Sequence, residues 1–155
     1  MRSLARSSRS GRGRIILASL ALLLAACGGA TASTAPPAVS DAWIRPPAGM
    51  DQPAAGYLVI TNASAQADAL LRVTSPAATS VELHETTTDS SGMTGMHPVE
   101  RLEVAAGATV KLEPGGYHLM LMGLGDAVKV GDSIELDLVF EHAGTVAVQA
   151  QVRAG

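Results

Sequence analysis

Methionine and histidine are concentrated in one part of this 155-residue sequence. Thioether sulfur and imidazole nitrogen are soft or borderline donors, which select Cu(I) over the oxygen-preferring ions magnesium, calcium and manganese. Both donors are neutral when they bind, which suits a metal that is held briefly and then passed on. The concentration of these residues therefore predicts a soft-metal site. Its members are drawn from His84, Met93, Met96, His97, His118, Met120 and Met122.

Two predicted strands would carry most of these donors. Alternation along the segment that follows a Pro-Gly-Gly turn places His118, Met120 and Met122 on one face and two leucines on the opposite face. Residues 80–86 alternate in the same way and put His84 on their polar face. Since side chains on one strand face are neighbours, these donors are expected to converge.

The other two candidate methionines, Met93 and Met96, lie in a polar, Gly-containing segment that is predicted to be a loop. Methionine in a protein core is ordinarily a flexible gap filler, but a polar loop offers little core to fill. Packing nevertheless remains the alternative for each candidate. In that interpretation His84 is a polar-face strand residue, while His118 and Met120 belong to a half-buried strand face.

The types and spacing of these residues resemble the PCu(A)C family of periplasmic copper chaperones. The family pattern is a His, ten residues, a Met, twenty-one residues and then His-x-Met. Here twenty-one residues separate Met96 from His118, and eleven separate His84 from Met96. The additional residue falls at the tip of the predicted loop, residues 89–92, where an insertion is easily absorbed. The resemblance covers roughly residues 41–153.

This resemblance implies a cupredoxin-like Greek-key β-sandwich that binds one Cu(I). It also implies that the protein delivers the copper ion toward the binuclear copper centre of cytochrome c oxidase. The partner would be the oxidase copper subunit or another copper chaperone. Met93, Met122 and His97 do not match a ligand position and are expected to be accessory at most. The matching ligand positions are His84, Met96, His118 and Met120.

The elements that must position the site are predicted to be strands. From Trp43 onward, short apolar runs alternate with turn residues, and no window sustains a helical period. Residues 105–107 are interpreted as a hairpin-like connection. Seven or more strands at this spacing indicate an all-β, antiparallel sandwich of Greek-key type. The strand candidates are residues 55–61, 69–74, 80–86, 102–104, 109–112, 117–122, 133–140 and 145–152.

The beginning of the chain is predicted to be an export signal. An arginine-rich start precedes an apolar run, residues 15–26, that is shorter than the roughly 20 residues of a membrane span. Small residues then precede Cys27, as in the bacterial lipoprotein cleavage box. We therefore expect a signal peptide over 1–26, a lipidated Cys27 with a tether over 27–40, and a domain over 41–155. The alternative is a plain secretory signal with an incidental cysteine.

Composition excludes several other function classes. Five of the 11 basic residues lie in the predicted signal, so the rest of the chain has 6 basic and 14 acidic residues and a net charge of −8. Such a charge disfavours nucleic-acid binding. A blue-copper electron carrier needs a cysteine thiolate, and the sole cysteine is at the predicted anchor. No catalytic motif is present, so an enzyme is not expected. The remaining alternative is a metal-free adhesion or scaffolding lipoprotein.

Overall fold

The computed structural model describes residues 35–49, 52–124 and 128–154. The predicted signal peptide and Cys27 lie outside these ranges. Within them the chain forms ten strands and no helix, so no described helix is long and apolar enough to cross a membrane. The strands are β1 (Ala38–Arg45), β2 (Ala54–Thr61), β3 (Asp68–Thr74), β4 (Ser80–Thr88), β5 (Thr94–Pro98), β6 (Leu102–Val104), β7 (Thr109–Leu112), β8 (Tyr117–Met122), β9 (Ser133–Phe140) and β10 (Gly144–Val152).

The strands form one curled sheet in the order β5-β4-β8-β7-β2-β1-β10-β9-β3-β6, with a further pairing between β8 and β2. The contact of β3, near one end of this order, with β4, near the other end, shows that the sheet is curled. This confirms the predicted all-β class. Most neighbouring strands are antiparallel, as predicted, but β1 with β10 and β7 with β8 pair in parallel.

Period-two alternation explains how the strands build the core. On β9, Ile134, Leu136 and Leu138 are buried, whereas Glu135 between them is exposed. Because successive side chains point to opposite faces of a strand, each such strand contributes one apolar row to the interior. The curled sheet packs these rows against one another in a single hydrophobic cluster.

Two local predictions were wrong. The segment that contains Met96 was expected to be a loop, but it forms the short strand β5 at one end of the sheet order. Pro98 ends this strand, and an edge strand can accommodate a residue that donates no backbone hydrogen bond. Residues 105–107 are not a hairpin turn, because β6 pairs with β3 whereas β7 pairs with β2. The turn therefore connects two distant parts of the sheet.

The first strand begins at Ala38, three residues before the predicted start of the domain at residue 41. Between Ser40 and Trp43 its register against β2 shifts by one residue, which is a β-bulge. Asp41 has φ of 50° at this bulge, a conformation that aspartate tolerates better than most residues. Beyond the bulge, Trp43 lies opposite Tyr57, and their ring centroids are 4.5 Å apart.

The buried carboxylate of Asp68 joins the start of β3 to the turn between β9 and β10. Its two oxygens accept hydrogen bonds from the backbone N–H groups of Ala69 at 2.8 Å, His142 at 3.0 Å and Ala143 at 3.0 Å. Burial raises the pKa of this carboxyl, but the three backbone hydrogen bonds outweigh it and leave the pKa below the ordinary value. Asp68 therefore stabilises the folded chain in its ionised form.

Candidate metal centre

The three adjacent strands β5, β4 and β8 bring the predicted donors to one face of the sheet. His84 on β4 lies directly opposite His118 on β8, and Thr86 on β4 lies opposite Met96 on β5. Residues opposite each other in an antiparallel pair project to the same side. Met120, two residues after His118, shares that side by alternation. The leucines of β8 are buried on the opposite face, as predicted.

The His84 ring is held through one nitrogen, and its other nitrogen is buried without a partner among the described residues. Its side chain is only 14% exposed, and its Nε2–H donates to Oε2 of Glu82 at 2.9 Å. The other ring nitrogen, Nδ1, is buried and has no hydrogen-bond partner among the described residues. A buried polar atom without a partner is costly, so such an atom calls for an explanation. A metal ion would supply the missing partner.

The His118 ring is positioned by the turn that precedes β8. His118 is 7% exposed, and its Nδ1–H donates to the backbone oxygen of Gly116 at 3.1 Å. Gly115 provides the positive φ of 86° that this turn requires. The centroids of the His84 and His118 rings are 6.0 Å apart. Metal–imidazole bonds are about 2 Å long, so this separation is compatible with one shared ion.

The two candidate thioethers lie beside a surface cleft of about 250 Å³. Met96 is 60% exposed, so it stands at the mouth of this cleft, while Met120 is half-buried. Of the four candidate donors, Met96 is the most exposed. Residues that line the cleft include Arg45, Tyr57, Thr86, Met96, His118 and Met120.

The structure separates the other candidates from this group. Met93 is 69% exposed in the turn between β4 and β5. His97 lies opposite Glu85 and therefore projects to the face opposite Met96. Met122 shares the face of Met120 but lies opposite Ser80, one pleat farther from the histidines.

The additional residue of the spacing was expected at residues 89–92, and these residues lie in the turn between β4 and β5. The carboxylate of Asp89 accepts hydrogen bonds from the hydroxyl of Ser91 and from the backbone N–H groups of Ser91 and Met93. The hydrogen bond from the Ser91 side chain is the largest influence that lowers the pKa of Asp89. Gly92 has φ of 84°. Strand pairing is regular next to this turn, with Thr88 opposite Thr94.

Glu82, which accepts the hydrogen bond from His84, was not identified from the sequence. The Glu-x-His spacing was the available signal, because side chains two residues apart on a strand project to the same face. Within the three described ranges, no group of three or more His, Cys, Asp and Glu side chains is arranged to hold a metal ion. The group formed here consists instead of two imidazoles and two thioethers.

Comparison with known proteins gives a family and several structural relatives. Residues 37–152 match the family described as "Putative lipoprotein LpqE-like". "Putative lipoprotein Lxx21020" of Leifsonia xyli subsp. xyli (strain CTCB07) is 35% identical over 115 residues, which are 74% of this chain and 68% of that protein.

Two solved structures share the fold. The solution structure of CuI-DR1885 from Deinococcus radiodurans is 34% identical, covers 83% of this chain and 84% of its own, and has a TM-score of 0.62. The copper-bound PCuAC domain from PmoF2 is 27% identical, covers 76% of this chain and 92% of its own, and has a TM-score of 0.63.

Proposed function

Because the chain belongs to the LpqE-like family of lipoproteins, we propose that it is an exported metallochaperone that binds one Cu(I) and passes it to another protein. The observation that carries this proposal is the buried, unpartnered Nδ1 of His84, on the same sheet face as a second imidazole and two thioethers. The proposed ligands are His84, Met96, His118 and Met120.

The donor set fits Cu(I) as a transported ion. Soft thioethers and imidazoles favour Cu(I), and hard cations such as Ca²⁺ and Mg²⁺ prefer oxygen. All four donors bind as neutral groups, so the site would hold the ion without the strong charge attraction of thiolates. Met96 at the mouth of the cleft is exposed enough to be the first ligand that an incoming protein displaces. The chemistry would be ligand exchange, without a catalytic step.

The structural relatives support copper as the ion. DR1885 has been solved in its Cu(I) form and the PmoF2 PCuAC domain in a copper-bound form. The proposed recipient, the binuclear copper centre of cytochrome c oxidase, rests on the resemblance of the ligand spacing to PCu(A)C chaperones. The copper subunit of the oxidase or another copper chaperone would accept the ion.

The proposed location is the outer side of the cytoplasmic membrane. The family match to lipoproteins supports lipidation at Cys27, after removal of residues 1–26. The residues from Cys27 to the start of β1 at Ala38 would then tether the copper-binding domain to the membrane through the lipid alone. An anchored carrier would remain close to membrane-bound copper enzymes.

A Cu(I) titration of the full chain in detergent, against a colorimetric chelator under reducing conditions, tests the proposal. The parent should take one Cu(I) per chain, and His118→Ala should lose most of that affinity because an imidazole ligand is removed. His142→Ala is the matched control, since His142 lies in an exposed turn away from the site. A parent that does not compete for copper would support the metal-free scaffold instead.

A further inference from the structure

The two histidines of the proposed site are fixed by different ring nitrogens. His84 uses Nε2 for its hydrogen bond to Glu82, whereas His118 uses Nδ1 for its hydrogen bond to the Gly116 carbonyl. A neutral imidazole carries one N–H donor and one lone pair. An ionised carboxylate and a backbone carbonyl can only accept hydrogen bonds. The nitrogen that faces each acceptor therefore carries the hydrogen.

It follows that the two rings offer different nitrogens to a ligand. In His84 the lone pair is on Nδ1, and this is the buried nitrogen that has no partner among the described residues. In His118 the lone pair is on Nε2. Glu82 is about half exposed and lies opposite Met120 in the strand register, so it borders the donor group.

We infer that Glu82 is a positioning residue that fixes the Nε2–H tautomer of His84, so that Cu(I) binds Nδ1 of His84 and Nε2 of His118. This inference rests on the proposed function and assigns the donor atoms within it. A carboxylate that accepts from the outer N–H of a ligating imidazole fixes the ring orientation and raises its basicity, and loss of such a partner typically lowers metal affinity about 10–100-fold. The carboxylate also places a negative charge beside a site whose four ligands are neutral.

Long-range ¹H–¹⁵N NMR of the ¹⁵N-histidine-labelled full chain in detergent distinguishes the two nitrogens of each ring directly. In the metal-free parent with neutral rings, Nε2 of His84 and Nδ1 of His118 should show protonated, pyrrole-type shifts. On addition of Cu(I), the large shift changes should occur at Nδ1 of His84 and Nε2 of His118. Coordination of His84 through Nε2 would overturn the inference.

Variants of Glu82 test its role separately from the fold. Glu82→Val removes the acceptor, so His84 should populate both tautomers and Cu(I) affinity should fall about 10–100-fold. Glu82→Gln retains a side-chain oxygen and should recover the Nε2–H tautomer and much of the affinity. Glu135→Val is the matched control, because it removes an exposed strand carboxylate whose hydrogen bond is to Gln149. A Glu82→Val protein with the parental His84 tautomer and affinity would contradict the positioning role.

The same experiment separates this inference from the proposed function. If Cu(I) leaves the resonances of both His84 and His118 unchanged in the parent, the metal site itself is wrong. If both rings respond but His84 does so through Nε2, the site stands and only the role of Glu82 fails.

Discussion

His84 and His118 lie directly opposite each other on β4 and β8, with ring centroids 6.0 Å apart and with different nitrogens engaged by the protein. Each ring is fixed by a residue near it in sequence, and the strand pairing brings the two rings together. Glu82 holds one ring from the same strand face, and the turn that precedes β8 holds the other. The pairing of two strands distant in sequence therefore creates the geometry on which the proposed copper site depends.

The methionines provide a test that separates ligation from packing. Met96→Leu and Met120→Leu retain apolar volume, a change that usually costs less than about 1.5 kcal/mol in stability. Each variant should fold and yet lose much of its Cu(I) affinity, because leucine has no lone pair. Competition against a colorimetric Cu(I) chelator measures the affinity, and thermal melts of the metal-free proteins measure the folding.

Met93→Leu is the matched control for these variants. Met93 is exposed in the turn beside β5 and outside the donor group, so its replacement should leave copper affinity unchanged. Parental affinity in both Met96→Leu and Met120→Leu would show that these side chains are not ligands.

Much of the fold is predictable because alternation is a local property of the sequence. The strict apolar–polar alternation of residues 133–140 predicts β9 and its buried face, and the same reasoning places His118 and Met120 on one side of β8. Strand β5 was missed because its five residues include Gly95 and Pro98 and no apolar alternation, so only its pairing with β4 defines it.

Strand partners were less predictable than strands. The parallel pairing of β1 with β10 joins the two ends of the domain, and nothing in either segment specifies its partner. The prediction of a hairpin at residues 105–107 was wrong for the same reason, since a short turn can also lead from one part of a curled sheet to another. The role of Glu82 depends on a side-chain hydrogen bond that spacing suggests but does not establish.

The acid stability of the domain should depend on Asp68. The pKa of this carboxyl is lowered on folding, so its ionised form stabilises the protein above the ordinary pKa of 3.8. That contribution should be lost as the pH falls below 3.8 through the lower folded-state pKa. Asp68→Asn should cost about 1–3 kcal/mol at neutral pH, and this difference from the parent should shrink in acid.

Denaturant unfolding at several pH values measures this contribution. Asp137→Asn is the comparison, because Asp137 is a half-buried strand aspartate on β9. An Asp68→Asn protein that matches the parent at neutral pH would rule out the stabilising role of the three backbone hydrogen bonds.

The close approach of β2 to β8 should make Gly56 sensitive to substitution. A β-carbon at this position would lie 3.2 Å from Cβ of Leu119 and 3.1 Å from Cδ1 of Leu121. Gly56→Ala should therefore overpack the core and destabilise the domain by about 1–3 kcal/mol. Gly49→Ala, where nothing lies within 4 Å of the added carbon, should change stability by less than about 0.5 kcal/mol.

Equilibrium unfolding of the metal-free proteins gives the change in stability for each of the two alanine variants. Equal stability of the two alanine variants would show that β8 can shift without cost. Because β8 carries His118 and Met120, Gly56→Ala should also weaken Cu(I) binding when measured in the same competition assay.

X-ray absorption of the Cu(I)-loaded full chain, combined with its metal content, tests the proposed site most directly. We predict one copper per chain with two nitrogen and two sulfur neighbours, from His84, His118, Met96 and Met120. A copper ion surrounded only by nitrogen and oxygen, or a chain that retains no copper, would contradict the proposed site.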